Sequence, residues 1–201
     1  MSLEQKINNL ETDLHIMGTL VLDSLVGAVR ALEDKDTLKA SEVMDKDDEI
    51  DDAYMKIDQD WFELMATEQP VASDLRLSTS ILQASLHLER LGDLSVYLGK
   101  TTHEIHDLPI PESLHKIVVE MGDMVIDMAS SALESLKNRD AELALSTARK
   151  DELINSLYNK MLNEVPNISG NKDLYSGLFR LITCVRTCLL YTSPSPRDTM
   201  S

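Results

Sequence analysis

Aromatic residues are scarce in this chain: one Trp, two Phe and five Tyr, 4% of 201 residues. A core built without them must be mostly aliphatic, which suits helix packed on helix. Glycine and proline are also sparse, at seven and six, and Pro70, Pro109, Pro111 and Pro166 separate stretches of periodic sequence. The two cysteines, Cys184 and Cys188, provide no disulfide framework. Basic residues number 19 against 35 acids, a formal net charge of -16. This shortage of Lys and Arg argues against nucleic acid and against anionic lipid surfaces as partners. It favours cations or basic proteins. No apolar run reaches the length needed to span a bilayer, and the N-terminus lacks the charged-then-apolar pattern of a signal peptide. The expectation is a cytoplasmic protein with no membrane insertion.

What the sequence does contain is a repeat. An offset of 104 residues, the distance from Met17 to Met121, aligns its two halves without a gap. Met17-Gly18 falls on Met121-Gly122, Asp36 on Asp140, Lys46-Asp47 on Lys150-Asp151, Tyr54 on Tyr158 and Arg76 on Arg180. Each half reads as three helices. Apolar residues at helical spacing mark the first over 4–33: Ile7, Leu10, Leu14, Met17, Val21, Leu25, Ala28 and Leu32. A second spans about 37–67 as one helix, with the stripe Ala40, Val43, Asp47, Ile50, Tyr54, Ile57, Trp61, Leu64. A third opens at Pro70 and runs to about 106. The second half repeats the plan over about 112–137, 140–164 and from 173 onward. The expected fold is all-α, two tandem three-helix bundles. The units are 1–107, a linker 108–111, and 112–187 as an incomplete second repeat.

Asp47 interrupts an apolar stripe, and Asp151 does the same in the second half. A buried carboxylate is costly unless it is paired or bound to metal. Asp51 and Asn155 stand one turn further on, and Glu89 and Asp93 form another four-residue pair on the third helix. Converging carboxylates repel one another, and a hard cation relieves that repulsion. The candidate metal residues are Asp47, Asp51, Glu89, Asp93 and Asp151. Without a metal, the same pattern is met by a salt bridge to Arg76 or Arg90, or by plain surface exposure. Asp48, Asp52, Asp58 and Asp60 read as a solvated face. No nucleophile–base pair or phosphate-cradling glycine loop is present, so no enzyme is expected. The alternative is a ferritin-like carboxylate-bridged metal protein, which needs Glu-x-x-His pairs. Glu112–His115 is the single match, and His103 and His106 read as surface residues near a helix end. A coiled-coil dimerisation module fits the seams, but the turns are too frequent for a long rod.

Gln69-Pro-Val-Ala-Ser-Asp-Leu-Arg76 followed by Glu89-Arg-Leu-Gly-Asp93 resembles the signature of the PhoU family of phosphate-uptake regulators. The resemblance covers about 4–187. It implies a cytoplasmic regulator that restrains phosphate uptake and is recruited to the inner membrane through protein partners. Those implied partners are the ATPase subunit of a phosphate-specific ABC transporter and a sensor histidine kinase, with a homodimer as the assembly. Bound metal on the acidic motifs is also implied: Fe, Mn, Mg, Zn or Ca, at Asp47, Asp51, Glu89 and Asp93. In the second half Asp151 matches and Asn155 departs from the acidic pattern.

The repeat offset carries Glu89–Asp93 onto 193–197, which reads Ser193-Pro-Ser-Pro-Arg197. Two prolines at alternate positions cannot continue a helix. The string from Cys188 to Asp198 looks like one reading frame of a transposase sequencing adapter. The expectation is that 188–201 is non-native and the last helix truncated.

Overall fold

The structure, a computed structural model, describes residues 1–165 and 172–192, with side chains to 183. Eight helices occur among the described residues, with no strand. They are α1 (Leu3–Asp34), α2 (Thr37–Met44), α3 (Asp47–Glu68), α4 (Ala72–Ile105), α5 (Glu112–Asn138), α6 (Ala141–Arg149), α7 (Asp151–Glu164) and α8 (Lys172–Thr192). α1 packs on α2, α3 and α4, and α5 packs on α6, α7 and α8. The two sets join through α1 against α5 and α4 against α8.

All eight apolar positions expected along α1 are buried. α1 is also long and apolar enough by composition to cross a bilayer, with a window of mean hydropathy 1.4. This differs from the expectation that no segment reaches spanning length, because apolar and polar residues alternate along α1. Half of that window is buried inside the fold, so its apolar character is used by the core that α1 centres.

The second and fifth expected helices are each broken in two. Lys46 N–H bonds the Val43 carbonyl at 3.2 Å and Glu49 N–H bonds the Lys46 carbonyl at 3.2 Å, both three residues back. Lys150 bonds Thr147 and Leu153 bonds Lys150 in the same way, each at 3.0 Å. These tight turns interrupt the regular α ladder. An apolar stripe does not register the break, because the φ/ψ values stay right-handed. The third helix also starts later than expected. Pro70 lies between Gln69 and Ala72, both left-handed at φ 48° and 49°, so α4 opens at Ala72.

The repeat is legible in the turns. α1 and α5 end on left-handed Lys35 and Arg139, at φ 53° and 54°. Asp36 and Asp140 follow, and each caps the next helix. Asp36 Oδ1 accepts from Leu38 and Lys39 N–H at 3.0 Å, and Asp140 Oδ1 accepts from Leu143 N–H at 2.9 Å. A β-carbon is strained in that left-handed region, and glycine is not. Lys35→Gly is therefore expected to stabilise the fold by about 0.5–1 kcal/mol, read as a raised urea midpoint at unchanged slope.

Glycine explains the approach of the two bundles. A β-carbon on Gly18 would lie 2.8 Å from the Leu133 methyls, and one on Gly122 would lie 2.6 Å from a Val29 methyl. Gly18 and Gly122 are repeat mates, and so are Val29 and Leu133. α1 and α5 therefore cross antiparallel about a local two-fold axis, each placing a branched side chain on the other's glycine. Arg139 to Glu11 at 3.3 Å and His115 Nε2–H to the Leu32 carbonyl at 2.8 Å close the two ends of that crossing.

Candidate metal centre on helices three and four

α4 carries a small residue every seventh position, Ser78, Ser85, Gly92 and Gly99, all buried. α2 and α3 carry Val43, Ile50, Ile57 and Leu64 at the same interval, also buried. Ile50 lies over Gly92, where a β-carbon would be 3.0 Å from its Cγ2, and Met44 lies over Gly99 at 2.9 Å. The serines satisfy their hydroxyls on their own helix, Ser78 to the Asp74 carbonyl and Ser85 to the Leu82 carbonyl, each at 2.8 Å. Large residues on a small row let the two helix backbones approach closely.

That contact sets the acids. Asp47 and Asp51 stand three residues before and one after Ile50. Glu89 and Asp93 stand three before and one after Gly92. The pairs flank the same close point from opposite helices. Asp47 and Glu89 are half-buried, while Asp51 and Asp93 are exposed. The acids thus border the apolar groove and are not sunk in it.

Their charges are coupled. Burial, then Asp51 and Asp93, push the Asp47 carboxyl above its ordinary range, with Lys100 opposing. Burial, then Asp93 and Asp48, push Asp51 up. Burial, then Asp93 and Asp51, push Glu89 up, with Arg90 opposing. Among the described residues, none of these four side chains forms an ion pair or hydrogen bond, with Arg76, Arg90 or any other group. Asp48, read from sequence as a solvated face, belongs to the same field. Lys100 and Gly92 were missed as parts of the site. Gly92 stood in the motif Glu89–Asp93, but only the helix contact shows its purpose.

A carboxyl whose folded pKa exceeds its unfolded value binds protons more readily when folded. Stability then falls as pH rises between the two values, and it stays lower above them. In chelator, the thermal midpoint is expected to rise as pH drops from neutral through these raised values toward the ordinary carboxylate range. Asp51→Asn with Asp93→Asn should flatten that rise, since two repelling charges are gone. A midpoint that instead falls over this range in wild type, and equally in the variant, would contradict the coupling.

The donor set is all oxygen, which suits hard cations. Among the described residues, no three acid, imidazole or thiol side chains are gathered tightly enough to hold an ion in the conformation seen. The fit therefore lies in donor chemistry and shared field, with side-chain rotation needed to close on a metal. In the second half, Asn155 donates its amide to Asp151 Oδ2 at 2.9 Å and to the Asp151 carbonyl at 3.0 Å. An amide so placed ties up Asp151 where Asp51 leaves Asp47 open. The positions 193–197, where a facing motif would stand, lie outside the described residues.

The structure does not assemble the Glu-x-x-His alternative. Glu112 pairs with Lys116 at 2.7 Å, and His115 turns to the Leu32 carbonyl. His103 Nε2 is 3.0 Å from Ser41 Oγ, and His106 pairs with Asp107 at 2.8 Å.

The PhoU domain model matches residues 14–102 and 118–188. The accessory protein PhoU homolog of Clostridium acetobutylicum is 32% identical over 169 residues, 82% of this chain and 75% of that protein. The homolog from Pseudomonas aeruginosa is 32% identical over 160 residues, 80% of this chain and 66% of its own length. The crystal structure of PhoU from Pseudomonas aeruginosa superposes with a TM-score of 0.89 at 29% identity, covering 95% of this chain and 92% of that one. A PhoU structure from Streptococcus pneumoniae shares the fold at a TM-score of 0.83. Matched in both halves by the domain model and at 32% identity over 82% of its length by a curated relative, the chain belongs to the PhoU family.

Proposed function

We propose that this protein is a cytoplasmic, non-enzymatic regulator of phosphate homeostasis that restrains uptake by a phosphate-specific ABC transporter. Its curated relatives are named phosphate-specific transport system accessory proteins, and this supports the transporter as the system served. We infer the finer roles as part of the same reading: contact with the transporter's ATPase subunit and with a sensor histidine kinase, recruitment to the inner membrane through them, and a homodimer. The units at work are the repeats 1–107 and 112–187.

The observation that carries the reading is the shared field of Asp47, Asp51, Glu89 and Asp93, opposed by Lys100 and Arg90 only from a distance and closed by no ion pair among the described residues. A hard divalent or ferric ion held there would supply positive charge that joins α3 to α4. No group beside these acids is arranged to move a proton or attack a substrate, so binding is the chemistry this face can perform.

The test is genetic. Deleting the native gene should release alkaline phosphatase expression under ample phosphate, and restoring it should return repression. Repression unchanged by the deletion would refute the regulatory role.

A further inference from the structure

The solvent face of α3 continues past the acids as a regular stripe. Asp48, Asp52, Met55, Gln59, Phe62 and Ala66 follow one another at steps of four and three, and all are exposed. Met55 is 57% and Phe62 62% exposed. Trp61 is packed against the core, and the exposed Phe62 ring meets it edge-on at 5.4 Å between centroids. Alternating steps of four and three make the seam one helix offers another. Seven residues separate the two apolar side chains, about 10 Å along the axis.

The fold does not require this stripe. The repeat mate of Met55 is the exposed Asn159, and that of Phe62 is Pro166. The second bundle is built without it.

Charge decides the occupant. Asp48, Glu49 and Asp52, outside the four candidate metal residues, crowd the N-terminal end of α3. Lys56, the single base of that helix, is engaged by Asp13 and Asp60. A second copy would bring the same acids and a net charge of -16, and an anionic membrane would be repelled. A basic helix is attracted at one end and meets apolar anchors at the other.

We propose that the Met55–Phe62 stripe of α3 is a docking seat for an amphipathic helix of a protein partner, with two apolar side chains about seven residues apart and Lys or Arg beyond them. This names the partner chemistry of the regulatory reading and rests on it.

The test titrates a fluorescein-labelled 18-residue amphipathic Lys/Leu peptide with the full chain. Binding should weaken at least roughly tenfold in Met55→Ser with Phe62→Ser, as expected when exposed anchors are lost. Leu145→Ser with Leu153→Ser, at exposed apolar positions of the other bundle, should change it by less than about twofold. Asp48→Asn with Asp52→Asn should weaken binding and flatten its salt dependence. All three variants should keep the wild-type helical circular dichroism. A smaller loss in the Met55 and Phe62 variant, equal losses in both apolar variants, or no binding by wild type overturns the proposal. So does a sedimentation shift from dimer to monomer in the Met55 and Phe62 variant, because the stripe would then seat a second copy. The readout is independent of phosphate repression. Failure of the peptide test leaves the regulatory reading standing, and failure of the repression test leaves the peptide result intact.

Discussion

Replacing Asp47 and Asp93 together by alanine is expected to lower the metal content of the purified protein, if the proposed site on α3 and α4 is the one that binds it. The two residues stand on facing helices and each raises the field felt by the other carboxyls, so the pair removes one donor from each wall. Elemental analysis of wild type and variant, prepared side by side, reads the effect directly. Equal metal content would end the assignment. Stability gives a second readout. An ion at about one hundred times its dissociation constant adds roughly 2.7 kcal/mol to a fold that binds it. For a chain of this size that corresponds to about 5–10 °C in thermal midpoint. Wild type should gain it from Mn or Ca, and the variant should not. In chelator the order reverses, because the variant no longer confines repelling carboxylates.

The second large effect is steric. Gly122→Leu should destabilise the protein by about 3 kcal/mol, near the upper range for overpacking a helix contact. Already at the β-carbon the new side chain meets Val29 Cγ2 at 2.6 Å and Cγ1 at 3.1 Å. Val29 is β-branched and holds one rotamer in a helix, so it cannot turn aside. The loss must also exceed the better helix propensity of leucine, worth up to about 1 kcal/mol. Gly18→Ala is milder, since the Leu133 methyls it meets at 2.8 Å are the mobile tips of a longer chain. Urea unfolding followed by circular dichroism separates the two. Equal midpoints for Gly122→Leu and wild type would mean that α1 and α5 do not lie this close.

The all-helical class, the buried face of α1 and the duplication were legible in the sequence because spacing alone carries them, whereas the count of three helices per half fell one short. Ile7 through Leu32 repeat every three or four residues, and only a helix buries such a set together. The break at Lys46 was not legible. Its backbone remains right-handed, and the apolar stripe runs through it without losing phase. The late start of α4 was hidden for a related reason. Pro70 suits a helix start, but left-handed Ala72 carries no mark of its geometry in the sequence. Of the site, the four acids were found by their spacing. Their depth was not, because the stripe placed Asp47 among buried residues while the turn at Lys46 leaves it half-exposed at the first position of α3. Gly92 and Lys100 act across a helix interface, and no local pattern shows what a residue meets on another helix.

The crossing of Gly18 with Leu133 and Gly122 with Val29 has the geometry of two identical partners in a handshake, here made by halves of one polypeptide. The connection between α4 and α5, His106 to Pro111, turns that association into a tethered one. Tethering through a short connection supplies a millimolar effective concentration. The halves therefore stay joined at any dilution of the protein, while their mated positions carry different chemistry: carboxylate at Asp51 and amide at Asn155, thioether at Met55 and amide at Asn159.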